Sequence, residues 1–390
     1  MTTPQPLRAA IIGTGGIAHA HAQAIRDLAP RIELVAVADL EPDRARAFAE
    51  QFGASAVFAT SDDLLAAGGI DLVHVCTTPK THAPLAIQAM RVGVPVVVEK
   101  PTALSLAEMD EIVRVSRETG IPALTVYQHR FGAAAQRLLR MVQSGTLGRA
   151  LVATCDTLWY RTPGYFDLPW RGLWSVEGGG PTMGHGIHQF DLLLAVLGPW
   201  SRVSAFAARQ VLPTDTEDVS TAVVEFANGA LATVVNSIVS PRESSRLRFD
   251  FEYATVEVEH VYGYVDADWQ ITPAPGHEYV LEQWQADAAS VAGASPDSRS
   301  SHRDQVAAII DALARGDEPS VTAEDARRTL ELAAATYASA FRGQPVAAGE
   351  ITADDPFWRS MDGGAVPWHP IKNPHPSKTP HPLKTEETAR

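Results

Sequence analysis

A lysine closing an apolar run and two histidines behind a glycine cluster are the residues of this chain best suited to chemistry. In VPVVVEKPTALS, Lys100 follows Glu99 at the end of a valine-rich segment; in GGGPTMGHGIHQFD, His185 and His188 stand three apart, with Asp191 one helical turn later. A lysine at the mouth of a buried strand can donate to a substrate hydroxyl, with its pKa lowered by burial or by a nearby cation. An imidazole titrates near neutrality and suits proton transfer. Plainer roles exist too: Lys100 paired with Glu99 in solvent, and histidines that cap and pack their helix. Two histidines at i and i+3 can share a metal, but no third ligand is evident beside them, so no metal is expected. Glycine costs about 1 kcal/mol relative to alanine in a helix interior. Three of them, Gly178, Gly179 and Gly180, therefore imply something that comes close to the backbone.

A second constellation lies near the start. AAIIGTGGIAHAHAQAI sets Gly13, Gly15 and Ala18 in a GxGxxA pattern between a strand and a helix, with Thr14, Gly16 and Ile17 completing the loop. The first glycine permits the tight turn, the second lets a pyrophosphate approach, and the third small residue lets helix pack on strand. The helix N-terminus then faces the phosphates. Asp39 ends the next strand, where a carboxylate accepts hydrogen bonds from an adenosine ribose; it would equally serve the turn before Pro42. An acidic residue there repels a 2′-phosphate, so NAD is favoured over NADP. In CTTPKTHAPLA, Thr77, Thr78, Pro79 and His82 either face the same crevice or cap the helix that follows.

The elements that must position these residues follow from periodicity. Up to about residue 128, short β-branched runs (RAAIIG, ELVAVAD, SAVFA, DLVHVC, VPVVVEK, PALTVYQ) alternate with segments of helical spacing, mostly closed by glycine. Strict alternation predicts a parallel sheet with helices on both faces, a doubly wound α/β domain over 1–128. Over 129–351 the pattern becomes longer alternating runs, with Asn228-Gly229 as a hairpin signal, predicting an α+β domain with a large, open, mostly antiparallel sheet. Residues 352–390, rich in proline and lysine, read as an extended tail.

Composition sets outer bounds. With 390 residues, 45% hydrophobic and 20% charged, the chain is ordinary for a globular protein of two domains. Thirty-two basic residues against 46 acidic give a net charge of −14, which repels nucleic acid and anionic membranes, and neither is expected as a partner. Two cysteines, Cys76 and Cys155, in apolar strand-like settings fit a reducing compartment, although one disulfide stays open. The N-terminus lacks a signal-peptide pattern, and the longest apolar run is far short of the ~20 residues that span a bilayer. A cytoplasmic location is expected.

Together, GxGxxA, the acidic end of the second strand, TTPKTHAPLA, VVVEKPTALS and GGGPTMGHGIHQFD resemble the Gfo/Idh/MocA family of nicotinamide-dependent oxidoreductases over nearly the whole chain to about residue 350. The resemblance implies a Rossmann domain, then a large open sheet whose outer face commonly forms an oligomer interface, so a homodimer or homotetramer is expected. It also implies hydride transfer between a sugar, glycoside, anhydrosugar or cyclitol hydroxyl and NAD. Lys100 matches the lysine of the family's EKP motif, and His188 the histidine of its DxGxHxxD motif. Gly184 stands where the motif has its first aspartate. His188 is then the general base and Lys100 the group that stabilises the reacting oxygen, or the reverse. Glu99 and Arg171 join the cofactor residues, Arg171 because a Trp-Arg pair in this loop does so in some relatives.

The aromatic segment DTLWYRTPGYFDLPWRGLWSVEGGG offers Trp159, Tyr160, Arg161, Tyr165, Trp170, Arg171 and Trp174 for a sugar ring, Tyr160 and Arg161 first among them, alongside His185 and Asp191; the same residue types suit a subunit interface. Two further readings share this fold: a glycoside hydrolase that retains NAD, and a nucleotide-responsive regulator without catalysis.

Overall fold

Valine- and alanine-rich runs of three to seven residues, too short for helices and mostly buried on both sides except at the edge strand Ala56–Phe58, pair as the strands of a parallel sheet. They are β1 (Leu7–Ile12), β2 (Ile32–Ala38), β3 (Ala56–Phe58), β4 (Leu72–Val75), β5 (Val96–Val98) and β6 (Ala123–Thr125). The computed structural model describes residues 5–290 and 299–372. The six strands lie in the order β3-β2-β1-β4-β5-β6, every pair parallel. The order reverses between β1 and β4, and in such sheets ligands sit beyond the strand carboxyl ends at that point.

Beyond helix Ala133–Gln143 come β7 (Ala150–Tyr160), β8 (Trp200–Ala208), β9 (Val219–Phe226), β10 (Leu231–Ser237), β11 (Val239–Phe251), β12 (Ala254–Val258), β13 (Trp269–Pro273) and the short β14 (Val346–Ala347). They form one sheet, β13-β12-β11-β7-β10-β9-β8-β14, antiparallel except where β7 meets β10. The Asn228-Gly229 hairpin joins β9 to β10, with Gly229 at φ +89°. Alternation along β7 buries Ala153, Cys155 and Thr157 against the helices and turns Val152 outward. Both cysteines are free and buried.

Two features depart from the sequence reading. Helix His302–Arg315, which the sequence assigns to the second domain, returns to the first sheet: Val306, Ile309 and Ile310 share a core with Ile11, Val37 and helix Ala18–Asp27. Helix Ala323–Arg342, opened by a Thr322 capping box, is buried along most of its length between the two halves. The stretch from residue 352 is not extended as far as it is described. Phe357 and Met361 are buried, Trp358 Nε1 donates to Asp110 Oδ2 (2.9 Å), and Trp368 Nε1 donates to the Asp215 carbonyl (2.8 Å). These few apolar anchors are masked by the average composition. The remainder of the tail, 373–390, lies outside the described residues.

Candidate active site

At the point of strand reversal, β1 runs into Gly13, whose φ of +88° and position against Thr77 and the Cys76 carbonyl carbon leave no room for a side chain: a Cβ would lie 2.7 Å from Thr77 Cγ2. Gly13 therefore lets the loop cross the end of β4. Gly15 and Gly16 differ, since a Cβ on either would meet nothing within 4 Å. They form an open, partly exposed cradle at the start of helix Ala18–Asp27, with Ile17 exposed beside them. Thr14 is spent inside: its backbone N–H (2.7 Å) and hydroxyl (2.8 Å) both donate to Asp39 Oδ2. Asp39 Oδ1 accepts from the Glu41 N–H, and Arg44 forms a forked pair with the carboxylate. Burial opposes ionisation of Asp39, but Arg44 and these N–H groups outweigh it and hold its pKa below the ordinary value. Asp39 thus serves its turn and remains a carboxylate at the end of β2.

Lys100 leaves the end of β5 and crosses between the halves of the molecule, donating from Nζ to the Gly184 carbonyl at 2.7 Å. Burial lowers its pKa, opposed by the charge of Glu99 and assisted by Arg171. Gly184 belongs to a π-helical turn, Thr182–Gly186, that runs straight into helix Ile187–Leu197. His188 in that helix's first turn is buried and ringed by His129 (centroids 5.0 Å apart), Tyr262 (5.8 Å) and Tyr127 (6.1 Å). Burial, then the Lys100 charge, then His129 push its pKa well below 6.5, so it is neutral near pH 7. His185 is lowered in the same way; its Nε2 lies 3.4 Å from Arg161 Nη2, and its ring lies 5.7 Å from that of Trp159. Around this spot, His129 Nδ1 and Nε2, His185 Nδ1, His188 Nδ1, Arg161 Nε, Arg171 Nε and Trp159 Nε1 are buried without a partner among the described residues. Native interiors rarely leave so many polar atoms unpaired. Such a set is what a polyhydroxylated ligand would satisfy.

The sequence leaves open what comes close to these glycines. A Cβ on Gly180 would lie 1.9 Å from the Glu217 carbonyl oxygen, one on Gly179 2.1 Å from the Tyr337 hydroxyl, and one on Gly186 2.1 Å from Asn236 Oδ1. The close approach is by the protein itself. Glu217 clamps the run, accepting from the Gly180 N–H (2.9 Å), the Thr182 N–H (3.1 Å) and the Tyr337 hydroxyl (2.7 Å). Gly184 alone has nothing within 4 Å of a Cβ, and it faces Lys100.

A model of the oxidoreductase family with an NAD-binding Rossmann fold matches residues 7–127, and the GFO/IDH/MocA C-terminal domain matches residues 135–258. The chain belongs to the GFO/IDH/MocA family. It is 27% identical over 388 residues to D-apiose dehydrogenase of Paraburkholderia graminis, covering 94% of this chain and 96% of that one. It is 34% identical over 202 residues to D-glucoside 3-dehydrogenase of Escherichia coli, covering 50% and 55%. Among solved structures, the WlbA dehydrogenase of Bordetella pertussis, in complex with NADH and UDP-GlcNAcA, superposes with a TM-score of 0.74 at 26% identity, covering 88% of this chain and 99% of that one.

Gly13, Gly15, Gly16 and Ile17 lie in the loop after β1, Thr77, Thr78 and Pro79 in the turn after β4, and Lys100 just beyond β5, all past the strand ends where the sheet order reverses. The open cradle at Gly15 and Gly16 fits a dinucleotide phosphate. Several residues expected from the sequence are engaged elsewhere. His82 is held between the carbonyls of Pro101 (2.7 Å) and Thr77 (3.1 Å). The Glu99 carboxylate turns inward to His21 (2.9 Å) and His302 (3.2 Å). Asp191 does not orient an imidazole; it forms a forked pair with Arg130 (2.5 and 2.6 Å), and burial raises its pKa to about 6. Trp174 packs on Tyr337 and donates to the Asp215 carbonyl (2.8 Å). Tyr160 falls on the outer face of β7, because Trp159 takes the inner one. Arg161 stacks over Trp159 (4.8 Å) and Tyr165 (5.2 Å), and Arg171 over Tyr165 (4.1 Å) and Trp170 (4.3 Å).

His129 and Tyr262 stand beside His188 without having been singled out as site residues, and Trp159, offered within the aromatic segment, stands beside His185. His129 lies in the short 3-10 turn Gln128–Arg130 and Tyr262 in a turn, within YQHRF and HVYGY, where no spacing marks them. Trp159 carried a signal, since it shares the aromatic segment with Tyr160, and the strand's period of two separates the pair.

Proposed function

We propose that this chain transfers hydride between a secondary hydroxyl of a sugar, glycoside, anhydrosugar or cyclitol and NAD. The observation that carries this reading is the set of unpaired buried nitrogens gathered around Lys100 and His188. When bound, the nicotinamide supplies the hydride acceptor. The chain does the rest: neutral His188 takes the hydroxyl proton, and the Lys100 ammonium, released from the Gly184 carbonyl, donates to the reacting oxygen and offsets its developing charge. His185, Arg161 and Trp159 hold the ring, with hydroxyls bonded at its edge and its apolar face against indole. The names of the relatives support the substrate class, since they include an apiose, a glucoside and an inositol dehydrogenase.

Preference for NAD over NADP rests on Asp39, which stays a carboxylate even with Arg44 beside it. Two free buried cysteines favour the cytoplasm, and no helix among the described residues is long and apolar enough to cross a membrane. The outer face of the second sheet, with Phe206, Val223, Leu231 and Val152 exposed, favours a homodimer or homotetramer.

The test is NADH absorbance on mixing the purified protein and NAD with panels of sugars, cyclitols, anhydrosugars and glycosides. Growth of NADH with one panel supports the reading and names the class. Glycoside cleavage without net NADH, or NAD binding without any turnover, replaces it with the hydrolase or the regulator.

A further inference from the structure

One cluster of ligating side chains takes no part in that reaction. His21 lies in the first helix, Glu99 at the end of β5, and His302 at the start of the helix that returns from the second half. The fold brings them together from positions far apart in the chain. His21 Nε2 lies 2.9 Å and His302 Nε2 3.2 Å from the same oxygen, Glu99 Oε1, and all three atoms fall within 4.8 Å of one another.

The geometry points to a divalent transition-metal site, Zn2+ in the first instance, bound through His21 Nε2, Glu99 Oε1 and His302 Nε2. Two imidazoles and one carboxylate are a donor set for a borderline cation, and open positions remain for solvent. Ligands about 2.0–2.2 Å from zinc stand roughly 3 Å from one another, close to the N–O separations found here. The second layer is also in place. His74 Nδ1 lies 2.8 Å from His21 Nδ1, so a cation on Nε2 leaves His21 Nδ1–H to donate to His74 and fixes the ring's tautomer and orientation.

Charge supports the assignment. His21 is fully buried and Glu99 is 4% exposed, and a carboxylate there calls for a cation or strong donors. The nearest lysine does not supply one: Lys100 gives only its backbone N–H to Glu99 Oε2 (3.1 Å), while its Nζ is committed to Gly184. Glu99 Oε1 faces the two imidazoles, which a metal would join to it in place of their hydrogen bonds. His302, with 13% of its side chain exposed, provides the side open to solvent.

The site is tested on the full chain stripped with EDTA and titrated with ZnCl2 and CoCl2, reading metal per chain, melting temperature and the cobalt absorption. One equivalent bound, a rise in melting temperature and the absorption of four- or five-coordinate cobalt are expected. His302→Gln should weaken binding by about tenfold or more. The absence of uptake and of any thermal shift overturns the site and leaves a hydrogen-bonded cluster. Undiminished uptake by His302→Gln also overturns it, placing the metal on other histidines such as His369. Should that variant fail to fold, the cobalt spectrum of the unaltered protein decides, because a six-coordinate, water-like spectrum is incompatible with this donor set. None of these readouts depends on hydride transfer.

Discussion

Lys100, just beyond β5 of the first sheet, and Gly184, in the π-helical turn of the second half, are joined by one hydrogen bond, Nζ to carbonyl at 2.7 Å. Gly184 has open space where its side chain would be, whereas its neighbour Gly180 has a carbonyl oxygen 1.9 Å from the same point. Two substitutions four residues apart should therefore behave in opposite ways. Gly180→Ala should destabilise by about 1–3 kcal/mol, as overpacking does. Gly184→Asp should leave the melting temperature nearly unchanged and place a carboxylate beside Lys100 and one turn before His188. An acid limb of the activity profile that moves to higher pH by about one unit would show that the carboxylate acts on the imidazole.

Lys100→Met should lower turnover by about 10²–10⁴-fold, the range of a lost proton-transfer or oxyanion partner. NAD affinity, measured by fluorescence quenching, should stay within a few fold, because the cradle at Gly15 and Gly16 is untouched. Near-normal turnover would remove Lys100 from the reaction.

His188 is kept neutral by burial and by the Lys100 charge, its pKa well below 6.5. If it is the base, its active form persists below pH 6.5 and is lost only at the depressed pKa. The acid limb of kcat/KM should then lie below 6.5, and His188→Gln should abolish it together with most of the rate. An acid limb above 6.5 would assign the proton to another group.

Asp191 and Arg130 form a buried pair, 1% and 15% exposed at their side chains. Removing one partner strands the other's charge, so Asp191→Asn should cost about 3–5 kcal/mol in denaturant unfolding. A loss below about 0.5 kcal/mol, the scale of an ordinary surface substitution, would mean that the pair contributes little.

The outer face of the second sheet predicts its own result. Phe206, 79% exposed, should be covered by a second copy. Phe206→Asp should shift the protein towards monomer in sedimentation, leaving the unfolding midpoint of the dissociated subunit intact. A protein already monomeric at micromolar concentration would reject that interface.

Much of this molecule was legible from local pattern. Gly13 must be glycine because β1 turns sharply against the next strand's end, Lys100 lies at the end of a buried strand, and His188 sits in the first turn of a leucine-rich helix; spacing of a few residues sets each of these. The parallel and antiparallel halves follow equally from alternation, which records burial residue by residue. What spacing cannot carry is the identity of a distant partner. Asp191 finds Arg130, Glu99 finds His21 and His302, and Gly180 meets Glu217 only once the chain has folded. Which face of β7 a residue occupies is likewise a matter of register, and that turns Tyr160 away and brings Trp159 in. The sequence by itself determined the two-part architecture and the lysine–histidine pair. Only tertiary packing decided which neighbouring polar groups are paired within the protein and which are left buried without a partner.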